Sequence, residues 1–252
     1  MTTATPATTP MCATTPLTLH TGTPLPDPTE YRATVGSLQY LSLTCPDISY
    51  AVNKLSQYMH RSTTDHWTAV KRILRYLVGT HTNGLFFSTQ NTPSLHAFTD
   101  ADWAGDKDDY MSTGAYLVYY GSHPIAWSSK KQSGIARSST EAEYRSVANT
   151  TAEVTWIKSL LTELGIKTTT APAIYCDNKG ATYLCANPMF HSRMKHLALD
   201  YHFVRNHVQA GNIRVSHIHS SDQLADALTK PLSRPLFHTL RVKIGLATPR
   251  PS

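Results

Sequence analysis

The chain has 252 residues with 40% hydrophobic content, which is enough for one domain of ordinary size and a smaller piece beside it. Its formal net charge of +6 favours an anionic partner, and no apolar run is long enough to cross a bilayer, so we expect a soluble protein without a membrane partner. The four cysteines form no Cys-x-x-Cys pair and the N-terminus has no basic and then apolar signal, which predicts a reducing compartment, cytoplasmic with the nucleus as an option.

The first part of the chain divides into two segments. Residues 1–27 are rich in Thr and Pro and have no charged side chain before Asp27, so disorder is predicted. Residues 28–90 show helical patterns, one capped by Asp47 and a second capped by Thr63 or Thr64 and stopped by Gly79. We therefore expect a small helical segment after the disordered one.

Three basic residues of the second helical pattern lie away from its apolar stripe: Lys71, Arg72 and Arg75. Spacing alone favours an ordinary solvated helix face. Contact with a nucleic-acid backbone is the alternative, and the choice depends on what the rest of the chain does.

Residues 91–231 predict a mixed sheet with helices. Three strands, Leu95–Thr99, Thr113–Tyr120 and Pro124–Ser128, are separated by short turns and form a meander. A long helix begins at Ser138 or Thr140, since each has a glutamate at the capping-box spacing. The remaining predicted elements are a strand at Ala173–Cys176, helices at Gly180–Ala186 and Leu197–Gln209, a strand at Ile213–Ile218 and a helix at Asp222–Leu228. Residues 232–252 are predicted to be a C-terminal tail with a weak helical pattern and then a Pro-rich end.

Four acidic residues lie at the ends of different predicted elements: Asp100, Glu143, Asp177 and Asp226. A fold that brings them together needs a cation, because carboxylates a few ångström apart repel each other and raise each other's pKa. Ligands that are all oxygen suit Mg2+ or Mn2+ rather than Zn2+. Two such ions are the usual machinery of phosphodiester hydrolysis, although each acid taken alone is more simply a capping or surface residue.

The sequence motifs around these acids resemble those of the ribonuclease H family, and in particular those of the ribonuclease H of copia-type retrotransposon polyproteins. They occur in order as Thr99-Asp-Ala-Asp-Trp-Ala-Gly-Asp106, Trp127-Ser-Ser-Lys-Lys-Gln132, Ser138-Ser-Thr-Glu-Ala-Glu-Tyr144, Tyr175-Cys-Asp-Asn178 and Gln223-Leu-Ala-Asp-Ala-Leu-Thr-Lys-Pro231. Upstream, His66-Trp-Thr-Ala-Val-Lys-Arg-Ile-Leu-Arg-Tyr-Leu77 is similar to the segment that joins the family's reverse transcriptase to its nuclease. No Tyr-x-Asp-Asp polymerase word is present, so the chain resembles a fragment of such a polyprotein.

The resemblance implies an α/β fold, a ribonuclease-H-like mixed five-stranded sheet flanked by helices, in residues 91–231, preceded by a remnant of the reverse-transcriptase connection in 28–90. It implies a metal-dependent endonuclease that cuts the RNA strand of an RNA/DNA hybrid and uses two Mg2+ (or Mn2+) ions. Asp100 would bridge the ions, Glu143 and Asp177 would hold the one near the leaving oxygen, and Asp226 would hold the one that carries the water. A reverse-transcriptase polymerase domain is a second implied partner.

Further residues are candidates for gripping the hybrid. Arg193, Lys195, His196 and Arg205 lie in a segment that matches the family, and Lys71, Arg72 and Arg75 join them once the resemblance is considered. Asn178 is a candidate for contact with the ribose or phosphates. A zinc site at the histidines of residues 191–207 is the competing interpretation, but no Cys-x-x-Cys or third ligand pair supports it.

Departures from the family wording occur at Cys45, Tyr110 and Gly114-Ala115, and none of them replaces a predicted ligand. They suggest a decaying copy of the element. The alternative function is therefore a catalytically inactive, hybrid-binding or structural remnant of the polyprotein.

Overall fold

The structure, a computed structural model, describes residues 4–166, 168, 170–187 and 197–247. In chain order the helices and strands are α1 (Thr29–Leu41), α2 (Ser49–Ser56), α3 (Thr64–Thr80), β1 (Gly84–Leu85), β2 (Leu95–Asp102), β3 (Thr113–Tyr120), β4 (His123–Lys131), α4 (Ser139–Glu163), β5 (Ala173–Cys176), α5 (Lys179–Ala186), α6 (Ala198–Gln209), β6 (Arg214–His217), α7 (Arg234–Ile244) and β7 (Leu246–Ala247). Short 3-10 segments lie at Pro46–Ile48, Ser220–Asp222 and Leu224–Leu228.

The central sheet has five strands in the order β4-β3-β2-β5-β6. Strands β2, β3 and β4 form an antiparallel meander, while β5 and β6 run parallel to β2. Helix α4 connects the meander to the parallel part and packs on one face of the sheet. This confirms the predicted α/β fold, a ribonuclease-H-like mixed five-stranded sheet flanked by helices.

The two faces of β2 have different partners because side chains alternate along a strand. Leu95 and Ala97 pack with Val154 of α4. Phe98 faces the other side, where it packs against a cluster built from the sheet, helices α1 to α3 and α7. The helical segment of residues 28–90 therefore shares a hydrophobic core with the sheet.

Local capping signals fix where the two longest helices begin. Thr63 caps α3, with its hydroxyl accepting from the His66 N–H, and Ser138 caps α4, with its hydroxyl accepting from the Glu141 N–H. These are two of the positions that the sequence predicts. Asp47 behaves differently: it lies inside a 3-10 segment, and its carboxylate accepts a hydrogen bond from the Tyr76 hydroxyl instead of capping α2.

The Thr/Pro-rich segment differs from the predicted disorder. Within residues 4–27, Met11 and Leu17 are buried in the hydrophobic cluster shared with the helices. Arg72 of α3 donates from Nε to the Thr9 carbonyl at 3.0 Å, and Arg75 donates from Nε to the Thr5 carbonyl at 2.7 Å. The apolar residues of this segment are too irregular to form a helix or strand, so its placement comes from contacts with α3.

The end of the described chain also differs from the prediction. The helix predicted at Asp222–Leu228 is two 3-10 segments, because Gln223 between them is extended and its amide donates to the Thr99 carbonyl at 2.8 Å. The side chain of Gln223 caps the second of these segments, with its Oε1 accepting from the Ala225 N–H at 3.2 Å. The weak helical pattern of the predicted tail forms α7, and the unpredicted strand β7 after it pairs with β1 in a two-stranded sheet. Among the described helices, none has the length and apolar character needed to cross a membrane.

Candidate active site

The sheet brings two of the predicted acids to neighbouring positions. Asp100 lies near the end of β2, and Asp177 follows directly after β5. Because β2 and β5 are adjacent and parallel, their carboxyl ends meet at the same edge of the sheet. Side chains at such an edge face a shared space, so these two carboxylates belong to one site.

The other two acids reach the same place from different elements. Glu143 lies near the start of α4, which is fixed against β2 by a hydrogen bond from the Ser146 hydroxyl to the Asp100 carbonyl at 2.8 Å. The carboxyl group of Glu143 lies within 4.8 Å of that of Asp177, and the charge of Asp100 acts on it as well. Asp226 comes from the 3-10 segment Leu224–Leu228 and is joined to Asp100 through Lys230, whose Nζ lies within 3.7 Å of both carboxylates. The structure thus brings all four predicted acids together around Asp100.

These carboxyl groups are largely removed from water. Asp100, Glu143 and Asp226 are 3%, 5% and 9% exposed, and Asp177 is half-buried. Burial raises the pKa of Glu143 strongly, and the charges of Asp100 and Asp177 raise it further. Burial likewise raises the pKa of Asp226, with Asp100 adding to the effect. In the absence of a cation, this cluster therefore favours bound protons.

Two residues of the site were missed by the sequence analysis. Lys230 places its Nζ 2.7 Å from the Asp226 Oδ1 and 3.7 Å from the Asp100 Oδ2. Burial alone would lower the pKa of Lys230, but the charges of Asp100 and Asp226 outweigh it and raise the pKa. Thr229 donates its hydroxyl to the Asp100 Oδ2. Thr229 and Lys230 both lie in the motif at residues 223–231. The spacing of four residues between Asp226 and Lys230 is typical of an ion pair and could have predicted this contact.

A thiol borders the carboxylates. The Cys176 Sγ lies 3.6 Å from the Glu143 Oε2, and ligand atoms of Glu143, Cys176 and Asp177 all lie within 4.8 Å of one another. Burial raises the pKa of the Cys176 thiol, and the charge of Glu143 raises it further, so the group stays protonated.

The donor set fits Mg2+ or Mn2+. Carboxylate oxygens predominate, and a protonated thiol is a poor ligand for these hard cations. The carboxylates also carry the mutual repulsion that a bound cation would relieve. Asp100, Glu143, Asp177 and Asp226 are the residues that would hold the metal.

The predicted nucleic-acid contacts are less concentrated. Asn178 caps α5, since its Oδ1 accepts from the Ala181 N–H at 2.9 Å. Arg205 lies over the ring of Tyr201, with its Cζ 5.9 Å from the ring centroid. Lys71 is exposed, with its Nζ 5.5 Å from the Trp67 ring centroid. Nucleic-acid binding by all three stays a prediction.

Other members of the predicted set are engaged elsewhere or cannot be placed. Arg72 and Arg75 are half-buried and bind the N-terminal segment, so contact with nucleic acid would require that segment to move away. Arg193, Lys195 and His196 lie outside the described residues, and so does His191 of the alternative zinc site.

The whole amino-acid sequence, and not only the site, can be compared with known proteins. No family model matches the chain. A retrovirus-related Pol polyprotein from transposon RE2 of Arabidopsis thaliana is 67% identical over 252 residues, and that from transposon RE1 of the same plant is 66% identical over 252 residues. Each match covers 100% of this chain and 17% of the relative, so the chain spans about a sixth of the length of these polyproteins.

Similarity to solved structures is more distant. A ribonuclease H1 named LC11, solved in complex with an RNA/DNA hybrid, has a TM-score of 0.42 and 11% identity, covering 54% of this chain and 94% of that chain. The sequence identity to the two transposon polyproteins is much higher and extends over all 252 residues of this chain. The chain belongs to the retrovirus-related Pol polyproteins of copia-type transposons.

Proposed function

We propose that this chain is the ribonuclease H of its polyprotein, a metal-dependent endonuclease that hydrolyses the RNA strand of RNA/DNA hybrids. The observation that carries the proposal is the convergence of Asp100, Glu143, Asp177 and Asp226 from four separate elements on one buried cluster. A cluster of buried carboxylates lowers the stability of the fold unless a bound cation neutralises its charge. Its donor atoms suit Mg2+ or Mn2+.

A pair of divalent ions at this site would supply a more acidic water and neutralise charge on the leaving oxygen. Each side chain has a separate task. The charge of Asp100 acts on both Glu143 and Asp226, so Asp100 would hold metal together with them, and its carboxylate is oriented by the hydroxyl of Thr229. Ser146 holds the Asp100 backbone against α4, which fixes the distance between Asp100 and Glu143. Lys230 balances the charge of Asp226 when no metal is bound.

Cleavage of a labelled hybrid by the purified chain in Mg2+ tests the proposal. Asp100→Asn should reduce cleavage to background, while hybrid binding measured by fluorescence anisotropy stays close to wild type, because one carboxylate contributes little contact area. Asp222→Asn is the matched control, since Asp222 is an exposed acid four residues before Asp226 and pairs with Lys243 at 2.9 Å. Cleavage by Asp100→Asn at the wild-type rate would reject the assignment.

A second candidate is a fragment that binds the hybrid without cutting it. The observation that favours it is Lys230, whose ammonium group lies 2.7 Å from the Asp226 Oδ1 and 3.7 Å from the Asp100 Oδ2, so this side chain can itself neutralise part of the negative charge of the cluster. Under this alternative, the isolated chain binds the hybrid in Mg2+ but does not cleave it. A polymerase domain from elsewhere in the polyprotein would then be the partner that delivers substrate, and adding it in trans would restore cleavage.

A further inference from the structure

A cluster of aromatic rings lies on the sheet away from the carboxylates. His96 stacks on Tyr119 with ring centroids 5.2 Å apart and an angle of 6° between the planes. Phe98 and Tyr175 complete the group, with their centroids 5.3 Å apart. All four rings lie on the face opposite α4, because the alternate residues Leu95 and Ala97 of β2 pack with α4. Phe98 and Tyr119 also pack in the hydrophobic cluster shared with the helices, whereas Tyr175 is not part of that cluster.

The rings border a cavity that opens to solvent. Its volume is about 370 Å³, and its lining includes His96, Phe98, Tyr175 and Arg214. The three rings are half-buried, so their remaining surface faces the cavity. Arg214 is exposed, and its guanidinium group makes no hydrogen bond or ion pair within the described part of the chain. The site thus combines ring faces with an unused positive charge.

The cavity and the carboxylate cluster lie along the same two strands. His96 and Phe98 precede Asp100 on β2 at steps of two residues, so the three side chains share one face. Tyr175 has the same relation to Asp177, and it pairs in register with Phe98. At about 3.3 Å per residue, His96 lies roughly 13 Å along the strand from Asp100. A single polynucleotide strand can reach both places.

We propose that this cavity binds an unpaired nucleotide, with its base stacked on the rings and its phosphate on Arg214. The inference rests on the proposed function, since it gives the nuclease a holding site for a single-stranded extension of its hybrid substrate. Aromatic rings bind bases of any sequence because every base has a flat face, and arginine supplies the phosphate contact. A hydrophobic or proline-rich peptide would use the rings but leave Arg214 without a partner, and the net charge of +6 also favours a polyanion.

Binding of a short fluorescein-labelled oligothymidylate, measured by anisotropy in EDTA, tests this site independently of cleavage. Arg214→Gln should weaken binding several-fold and make the log-log salt dependence shallower by about 0.7, the value for one phosphate contact to a single strand. Tyr175→Leu should weaken binding about tenfold through lost stacking. The matched controls are Arg234→Gln and Tyr40→Leu, because both residues are exposed and lie outside the cavity lining. They should bind as wild type does.

The substrate form gives a second measurement. A hybrid with a single-stranded overhang should bind wild type more tightly than a blunt hybrid does, and Arg214→Gln should remove that difference. Because Arg214 is exposed, this variant is expected to fold even where Tyr175→Leu does not. Equal loss of oligonucleotide affinity in Arg214→Gln and Arg234→Gln would overturn the proposal. Binding of a proline-rich peptide by wild-type protein together with no binding of the oligonucleotide would overturn it as well.

The outcome separates this inference from the proposed function. Asp100→Asn should bind the oligonucleotide and the overhang as wild type does, since Asp100 does not line the cavity. Absence of cleavage together with binding that depends on Arg214 would reject the nuclease assignment and leave the nucleotide site standing. Normal cleavage with no preference for the overhang would do the opposite.

Discussion

Asp106→Asn is expected to lower the free energy of unfolding by about 2 kcal/mol near pH 7. Asp106 is 6% exposed, and its Oδ2 lies 3.0 Å from the Nζ of Lys54 and 2.7 Å from that of Lys131. Lys54 belongs to α2 and Lys131 ends β4, so this carboxylate joins the helical segment to the sheet. Asparagine keeps the shape of the side chain and removes the charge.

The magnitude follows from the pKa of Asp106. Burial by itself would raise this pKa, but the hydrogen bonds from Lys131, the Asp108 N–H and Lys54 outweigh burial and lower it from 3.8 to about 2. At 1.36 kcal/mol for each pKa unit, a shift of this size is worth about 2 kcal/mol. Since the pKa is lower in the folded chain than in the unfolded chain, the stabilisation is complete above about pH 4 and is lost as the pH falls towards 2.

Urea unfolding followed by far-ultraviolet circular dichroism measures this difference. The deficit of Asp106→Asn should be constant from about pH 7 to pH 5 and should fall to roughly 1 kcal/mol at about pH 3. Asp109→Asn is the matched control, because Asp109 pairs with the same Lys131 at 2.6 Å but its side chain is 40% exposed. An exposed pair is worth less than about 1 kcal/mol. Equal deficits in the two variants, or a deficit for Asp106→Asn that ignores pH, would refute the reasoning.

Other variants test the site and the helix ends. Glu143→Gln should raise the melting temperature in EDTA, because it removes a buried carboxyl group whose ionisation the folded state opposes. The expected rise is about 3 °C or more, which corresponds to roughly 1 kcal/mol in a chain of this size. Mg2+ should stabilise this variant less than it stabilises wild type. An unchanged melting temperature in EDTA would contradict the repulsion. Ser138→Ala should cost about 1 kcal/mol in urea unfolding by removing the cap of α4, whereas Ser138→Asp should restore it. Tyr110→Gly should stabilise by about 0.5–1 kcal/mol, because Tyr110 is exposed and has φ of 57°, where glycine is not strained; a loss of stability would show that the ring packs. Arg205→Ala should weaken hybrid binding equally for all sequences and reduce the salt slope by about 0.9, and a preserved slope would remove Arg205 from the phosphate contacts.

Local signals in the sequence determined most of the elements. The strand at Thr113–Tyr120 and the strand at Ala173–Cys176 have the predicted bounds, and Ser138 and Thr63 cap helices as the capping patterns indicate. These features depend on neighbours within a few residues, such as alternation along a strand or a hydroxyl near a free N–H, so a single sequence carries them. The four acids were identified from the words around them, which are also local.

Only the tertiary structure decided which groups share the site and which do not. The pairing of β2 with β5 and the packing of α4 bring Asp100 and Glu143 together. The spacing of these residues along the chain does not predict this contact. The same holds for Lys230 beside Asp100 and for Arg72, whose partner Thr9 is 63 residues away. Gln223 ends a 3-10 segment because its side-chain amide donates to the Thr99 carbonyl. Local helix propensity does not predict this long-range hydrogen bond. A long-range contact is set by the free energy of packing the whole chain, so the sequence supplies the chemical groups while the packing decides which of them meet.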